Sequence, residues 1–151
     1  MKKIYLTVFL LLTTNFLIFG AQKMVDFSLY TTDDEKISSS EFKDKSLILF
    51  FWTTWCPFCR RAIYKLNEIY PELKNSDIQL LGINVGEPKE KVKNFLKSYN
   101  VEFKVLLDKE GEVASSYWVF GVPYYIFINK KGDIVFEDNY FPSDYKKIFK
   151  D

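Results

Sequence analysis

The sequence predicts an α/β fold: a central mixed sheet flanked by helices, preceded by an N-terminal hydrophobic segment. Three observations carry this. The run Leu47-Ile48-Leu49-Phe50-Phe51-Trp52 is continuously apolar, as befits a central strand covered on both faces. Strand-like and helix-period segments then alternate, which calls for right-handed parallel crossovers. Near the end, two strand-like segments flank Lys130-Lys131-Gly132, an antiparallel hairpin signal.

Residues 1–21 stand apart from a single domain at 22–151. Lys2 and Lys3 precede an apolar run from Ile4 to Gly20, interrupted by Thr7, Thr13, Thr14 and Asn15. This is a signal peptide or an uncleaved membrane anchor. The run's 17 residues sit at the lower limit of the roughly 17–25 needed to span a bilayer. Cleavage after Ala21 or Gly20 would place Phe19 or Ile18 where a small residue belongs, which favours the anchor. In both cases the basic pair stays on the cytoplasmic side and the domain faces outward, in the periplasm or on the outer face of the membrane.

Within the domain, Val25–Tyr30 reads as an edge strand and 31–36 as a polar turn with Asp33-Asp34 at its tip. Ser38–Phe42 reads as a serine-capped helical turn. After the strand ending at Trp52, Pro57 suits the first position of a helix because its missing N–H would have no intrahelical partner. Ile63, Leu66, Tyr70 and Leu73 share one face of that helix, and Pro71 should kink or end it. Ile78–Val85 is a second core strand, and Pro88 opens a helix with Val92, Phe95, Leu96 and Tyr99 at helical spacing. Phe103–Leu107 is a short strand and Val113–Tyr117 a short helix. The hairpin strands are Tyr124–Asn129 and Ile134–Glu137; a helix over Ser143–Phe149 closes the chain with Tyr145, Ile148 and Phe149 inward.

Composition narrows the chemistry. Apolar residues make up 48% of the chain, ample for a core. Lys and Arg number 21 against 20 Asp and Glu, so no basic face points to nucleic acid. There is no histidine, which removes imidazole bases and histidine metal sites. The only cysteines are Cys56 and Cys59, with two residues between them, at the junction of a strand and a helix. Such a pair can act as a reversible dithiol, and a helix N-terminus supplies partial positive charge for a thiolate. A structural zinc would need four ligands, which two cysteines without histidine do not provide. No cofactor or metal is expected.

The stretch FFWTTWCPFCR, the segment Ile83-Asn84-Val85-Gly86-Glu87 and the stretch GVPYYIFINKKGDIV from Gly121 to Val135 together resemble the thioredoxin superfamily. Within it, the chain is similar to the TlpA/ResA-like extracytoplasmic thioredoxins over about residues 25–137, and Asp26-Phe27-Ser28-Leu29 matches their usual opening. The resemblance implies that Cys56 is an exposed nucleophile and Cys59 the buried resolving thiol of a Cys56–Cys59 disulfide. It implies a cis Pro123 packed on the Cys56 sulfur, Val122 pairing with an extended substrate, and Trp55 shielding the site. It also places Glu87 near the dithiol, in a catalytic role beside the two cysteines. Read alone, Glu87 would be a surface residue. Two departures stand out: the buried aspartate of cytoplasmic thioredoxins, six positions before the first cysteine, is Phe50, and Pro57-Phe58 between the cysteines is not typical of ResA-like members. Thr53 stands three before Cys56, as in peroxiredoxins, but the proline those carry four positions further upstream is Leu49.

Trp52 reads as a core aromatic, Arg60 and Arg61 as solvated, and Trp118 and Phe120 as packing near the Val122-Pro123 loop, where an exposed position would instead contact a partner. The resemblance implies an enzyme, a thiol–disulfide oxidoreductase that reduces disulfides in extracytoplasmic proteins, including apocytochrome c during cytochrome maturation. A membrane thiol donor of the CcdA/DsbD type would recharge it. The alternatives are a disulfide-forming oxidant and a non-catalytic binding module of the same fold.

Overall fold

The computed structural model describes residues 22–149, so the N-terminal hydrophobic segment lies outside the described residues. Seven strands form one sheet: β1 (Ser28–Thr31), β2 (Lys36–Ser38), β3 (Ser46–Trp52), β4 (Ile78–Val85), β5 (Lys104–Asp108), β6 (Tyr124–Ile128) and β7 (Ile134–Asp138). Four helices accompany them: α1 (Pro57–Lys74), α2 (Lys89–Tyr99), α3 (Glu112–Ser116) and α4 (Tyr145–Ile148). The spatial order is β2-β1-β5-β4-β3-β6-β7. β3, β4 and β5 pair in parallel, while β6, β7 and β1 run antiparallel to their neighbours. The mixed sheet therefore has the parallel centre and antiparallel ending that the segment order implies.

All seven residues of β3 are buried. The two-residue period of a strand divides them between two cores. Ile48, Phe50 and Trp52 face α1, α2 and α4, meeting Ile63, Leu66, Val92, Phe95 and Tyr145. Leu47, Leu49 and Phe51 face the other side, with Val113, Ala114 and Tyr117. The continuous apolar run is thus the cost of being covered twice.

Gly82 of β4 sits where the first core is tightest. A Cβ there would lie 2.8 Å from the Phe103 ring and 3.1 Å from Trp52 Nε1, so only hydrogen fits without a shift.

Several boundaries differ from expectation. β1 is an inner strand, because β2, which spans the join between the expected polar turn and the expected serine-capped turn, pairs with its outer edge. Pro71 does not end α1, which runs on to Lys74: Leu73 is buried and holds the last turn down, and the Asn75 side chain donates to the Pro71 carbonyl at 3.0 Å. The serine-capped turn is a 3-10 turn at Ser39–Phe42, with Ser38 and Glu41 forming a capping box.

Candidate active site

The C-terminal ends of β3 and β4, where Trp52 pairs with Asn84, present the loop Thr53-Thr54-Trp55 and the start of α1. Cys56 is the N-cap of α1, and Pro57 takes the first helical position. The Cys56 sulfur accepts the Cys59 N–H at 3.1 Å, the part a serine oxygen plays in ordinary caps. Its own S–H donates to the Val122 carbonyl at 3.6 Å. The Val122–Pro123 bond is cis, the geometry the resemblance implies.

Both cysteines are thiols in this structure. Cys56 is not the open sulfur expected: it is only 3% exposed, because the Val122 carbonyl lies against it. Cys59, fully buried, has its thiol pushed well above the ordinary range, first by burial and then by the hydrogen bond with Cys56; the Thr53 main-chain N–H works the other way. A sulfur held protonated in this way is suited to wait until its neighbour has been modified. Among the described residues, no group of His, Cys, Asp or Glu could hold a metal ion.

Glu87 is neither a surface residue nor bonded to a sulfur. It is 4% exposed and accepts from the Thr54 N–H and the Thr54 hydroxyl, each at 2.6 Å, and from Asn84 Nδ2 at 2.8 Å. Lys91 completes the set with an ion pair at 2.7 Å. Burial pushes the carboxyl up, but Lys91, Thr54 and Asn84 together outweigh it and hold Glu87 below the usual carboxylate range. Arg60, expected to be solvated, donates from Nε to the Thr54 carbonyl at 3.1 Å. Thr54 is therefore held at its N–H, hydroxyl and carbonyl, two residues before Cys56.

Residues 21–137 match the AhpC/TSA family. The chain belongs to that family. It is similar to the thiol-disulfide oxidoreductase ResA of Bacillus thuringiensis subsp. konkukian, 34% identical over 112 residues, which cover 74% of this chain and 65% of that protein. ResA of Bacillus subtilis is 36% identical over 110 residues, covering 73% of this chain and 62% of the relative. The matches thus span less than two thirds of those relatives' own length. Among solved structures, a putative protein disulfide isomerase from Bacteroides thetaiotaomicron superposes with a TM-score of 0.75 at 27% identity, covering 86% of this chain and 85% of that one. The fold is thioredoxin-like, with the mixed sheet and flanking helices described above.

Of the residues singled out in the sequence, the fold brings Cys56, Cys59, Val122 and Pro123 together at one loop cluster. Trp55 stands beside them but is 63% exposed, so it borders the sulfur rather than roofing it. Trp118 and Phe120, expected to pack, point into solvent. Thr54, Asn84 and Tyr125 escaped sequence reasoning. Tyr125 is buried, stacks on Phe50 at 5.1 Å, and has its phenol pushed up by burial and then by the charge that Cys59 and Cys56 carry when ionised to thiolates. Its register opposite Phe50 on β3 was the only available signal, and register is not written in a single strand.

Proposed function

We propose that this protein is a thiol–disulfide oxidoreductase that reduces disulfides in extracytoplasmic proteins. The observation that carries the reading is the Cys56 sulfur at the N-cap of α1, accepting the Cys59 N–H while Cys59 lies buried in the following turn. The names of the ResA relatives support it.

The Cys56 thiolate attacks one sulfur of a substrate disulfide. A Cys56–substrate bond forms, and the other substrate sulfur leaves as a thiolate and takes up a proton. Cys59 then loses its proton and attacks the Cys56 sulfur, closing Cys56–Cys59 and releasing the second substrate thiol. Two electrons pass from the protein to the substrate. Trp55, Val122 and Pro123 border the substrate segment, with Val122 offering its backbone. Glu87 acts as a positioning residue, through Thr54, rather than as a group that meets the sulfur.

The net direction is reduction. Pro57 brings no N–H and Phe58 no charge between the cysteines, and no histidine exists to stabilise the first thiolate. The potential therefore lies nearer the thioredoxin end, about −270 mV, than the DsbA end, about −120 mV. Lys2, Lys3 and the apolar run to Gly20 tether the domain outside the cytoplasmic membrane, or export it there. A membrane thiol donor of the CcdA/DsbD type returns the electrons, and apocytochrome c cysteines awaiting haem are the substrate the ResA likeness suggests.

Insulin reduction by the full chain, with Cys56→Ser as control, tests the activity. Equilibration with defined glutathione ratios tests the direction. Turnover lost in Cys56→Ser and a potential near −270 mV are expected. A potential near that of DsbA would make the protein an oxidant, and unreactive cysteines would make it a binding module.

A further inference from the structure

α3 ends in a Schellman turn: the Trp118 N–H donates to the Ser115 carbonyl at 3.0 Å and the Val119 N–H to the Ala114 carbonyl at 2.9 Å. The residue after the cap of such a turn must be left-handed, and glycine is the usual occupant because a Cβ is strained there. Here the position is held by tryptophan, at φ +56°. Nothing in the core rewards this choice, since Trp118 is 71% exposed. Phe120, two residues on, is 91% exposed, and the two rings stand 6.4 Å apart. Gly121, Val122 and Pro123 follow directly, and the Val122 carbonyl touches the Cys56 sulfur. A strained backbone that holds a large aromatic in water, beside a reactive sulfur, points to contact with what the sulfur attacks.

We infer that Trp118 and Phe120 form a specificity element that selects protein disulfides whose cysteine is flanked by apolar side chains. The inference rests on the oxidoreductase reading and adds the substrate class. An extended segment whose cystine sulfur reaches Cys56 along Val122 carries its neighbouring side chains onto the same loop. An aromatic pair there favours leucine or phenylalanine over serine or glutamine by burying apolar area. Such sequences are buried in a folded protein, so the preferred substrate is an unfolded or incompletely folded chain.

The test uses two cystine peptides that differ only at the residues flanking the cysteine, Phe and Leu in one, Ser and Gln in the other. The reduced full chain is expected to show a kcat/KM about tenfold higher for the apolar peptide, through KM, since a single anchor of this kind is worth about one order of magnitude. Trp118→Gly and Phe120→Ser should each bring that ratio close to one. Because glycine relieves the left-handed strain, Trp118→Gly should melt no lower than the parent, which separates lost recognition from lost folding. Equal kcat/KM for the two peptides in the parent chain, or a preference that survives in both variants, would overturn the inference. Hydroxyethyl disulfide reports separately on the chemistry: a parent chain that fails to reduce it overturns the oxidoreductase reading itself.

Discussion

The Glu87 carboxylate grips Thr54 twice, accepting its main-chain N–H and its hydroxyl, each at 2.6 Å. It thereby links the end of β4 to the loop that delivers Cys56. The carboxylate's other contacts go to Asn84 and Lys91.

Replacing Glu87 by Gln should lower stability at neutral pH by about 1–3 kcal/mol, the cost of weakening a buried charged hydrogen-bond set. The pH dependence has a definite sign. Glu87 is held below its unfolded value of about 4.3. Its contribution is present above that pH and is lost as pH falls through the folded value. Urea unfolding of parent and Glu87→Gln should therefore differ at pH 7 and converge in acid. A difference that stays constant down to pH 3 would refute the linkage.

Cys59 titrates in the opposite sense. Its thiol is raised by burial, whereas an unfolded cysteine ionises near about 8.5. Stability from this group is complete below that pH and declines above it, as the unfolded chain alone gives up the proton. The reduced protein should lose stability on the alkaline side of about pH 8.5, and Cys59→Ser should flatten that slope. Denaturant melts from pH 7 to 10 under reducing conditions measure it.

The two cysteines should behave unequally when separated. Cys56→Ser removes the attacking sulfur and should abolish exchange. Cys59→Ser leaves an attacker with nothing to resolve it and should accumulate mixed disulfides through Cys56, visible on non-reducing gels. Trapping of equal extent by both variants would reject the assignment of roles.

Gly82→Ala tests the packing beneath the site. A methyl there meets Phe103 at 2.8 Å and the Trp52 indole at 3.1 Å, and Trp52 ends the strand that carries the active-site loop. Overpacking of this kind costs about 1–3 kcal/mol. A lower melting temperature is expected, and an unchanged one would show that the rings move aside freely.

The sequence by itself determined the reaction-bearing elements. The apolar run to Trp52 reads as a doubly covered strand, and Pro57 after Cys56 suits the start of a helix. Two cysteines without histidine left dithiol chemistry as the economical use of the pair. These are local facts of periodicity, donor count and spacing, and a single chain segment carries them. Tertiary structure decided what depends on distant segments meeting. Thr54 gains its clamp only because β4 lies beside β3 and brings Glu87 across. Cys56 is covered because the loop before β6 returns its Val122 carbonyl to the start of α1. Pro71 passes within α1 because a buried Leu73 anchors the turn beyond it. Trp118 reads as packing near the Val122-Pro123 loop, yet its left-handed place at the end of α3 turns it outward. Hydrophobicity says how much an aromatic gains from burial; only the backbone geometry of its turn says whether burial is within reach.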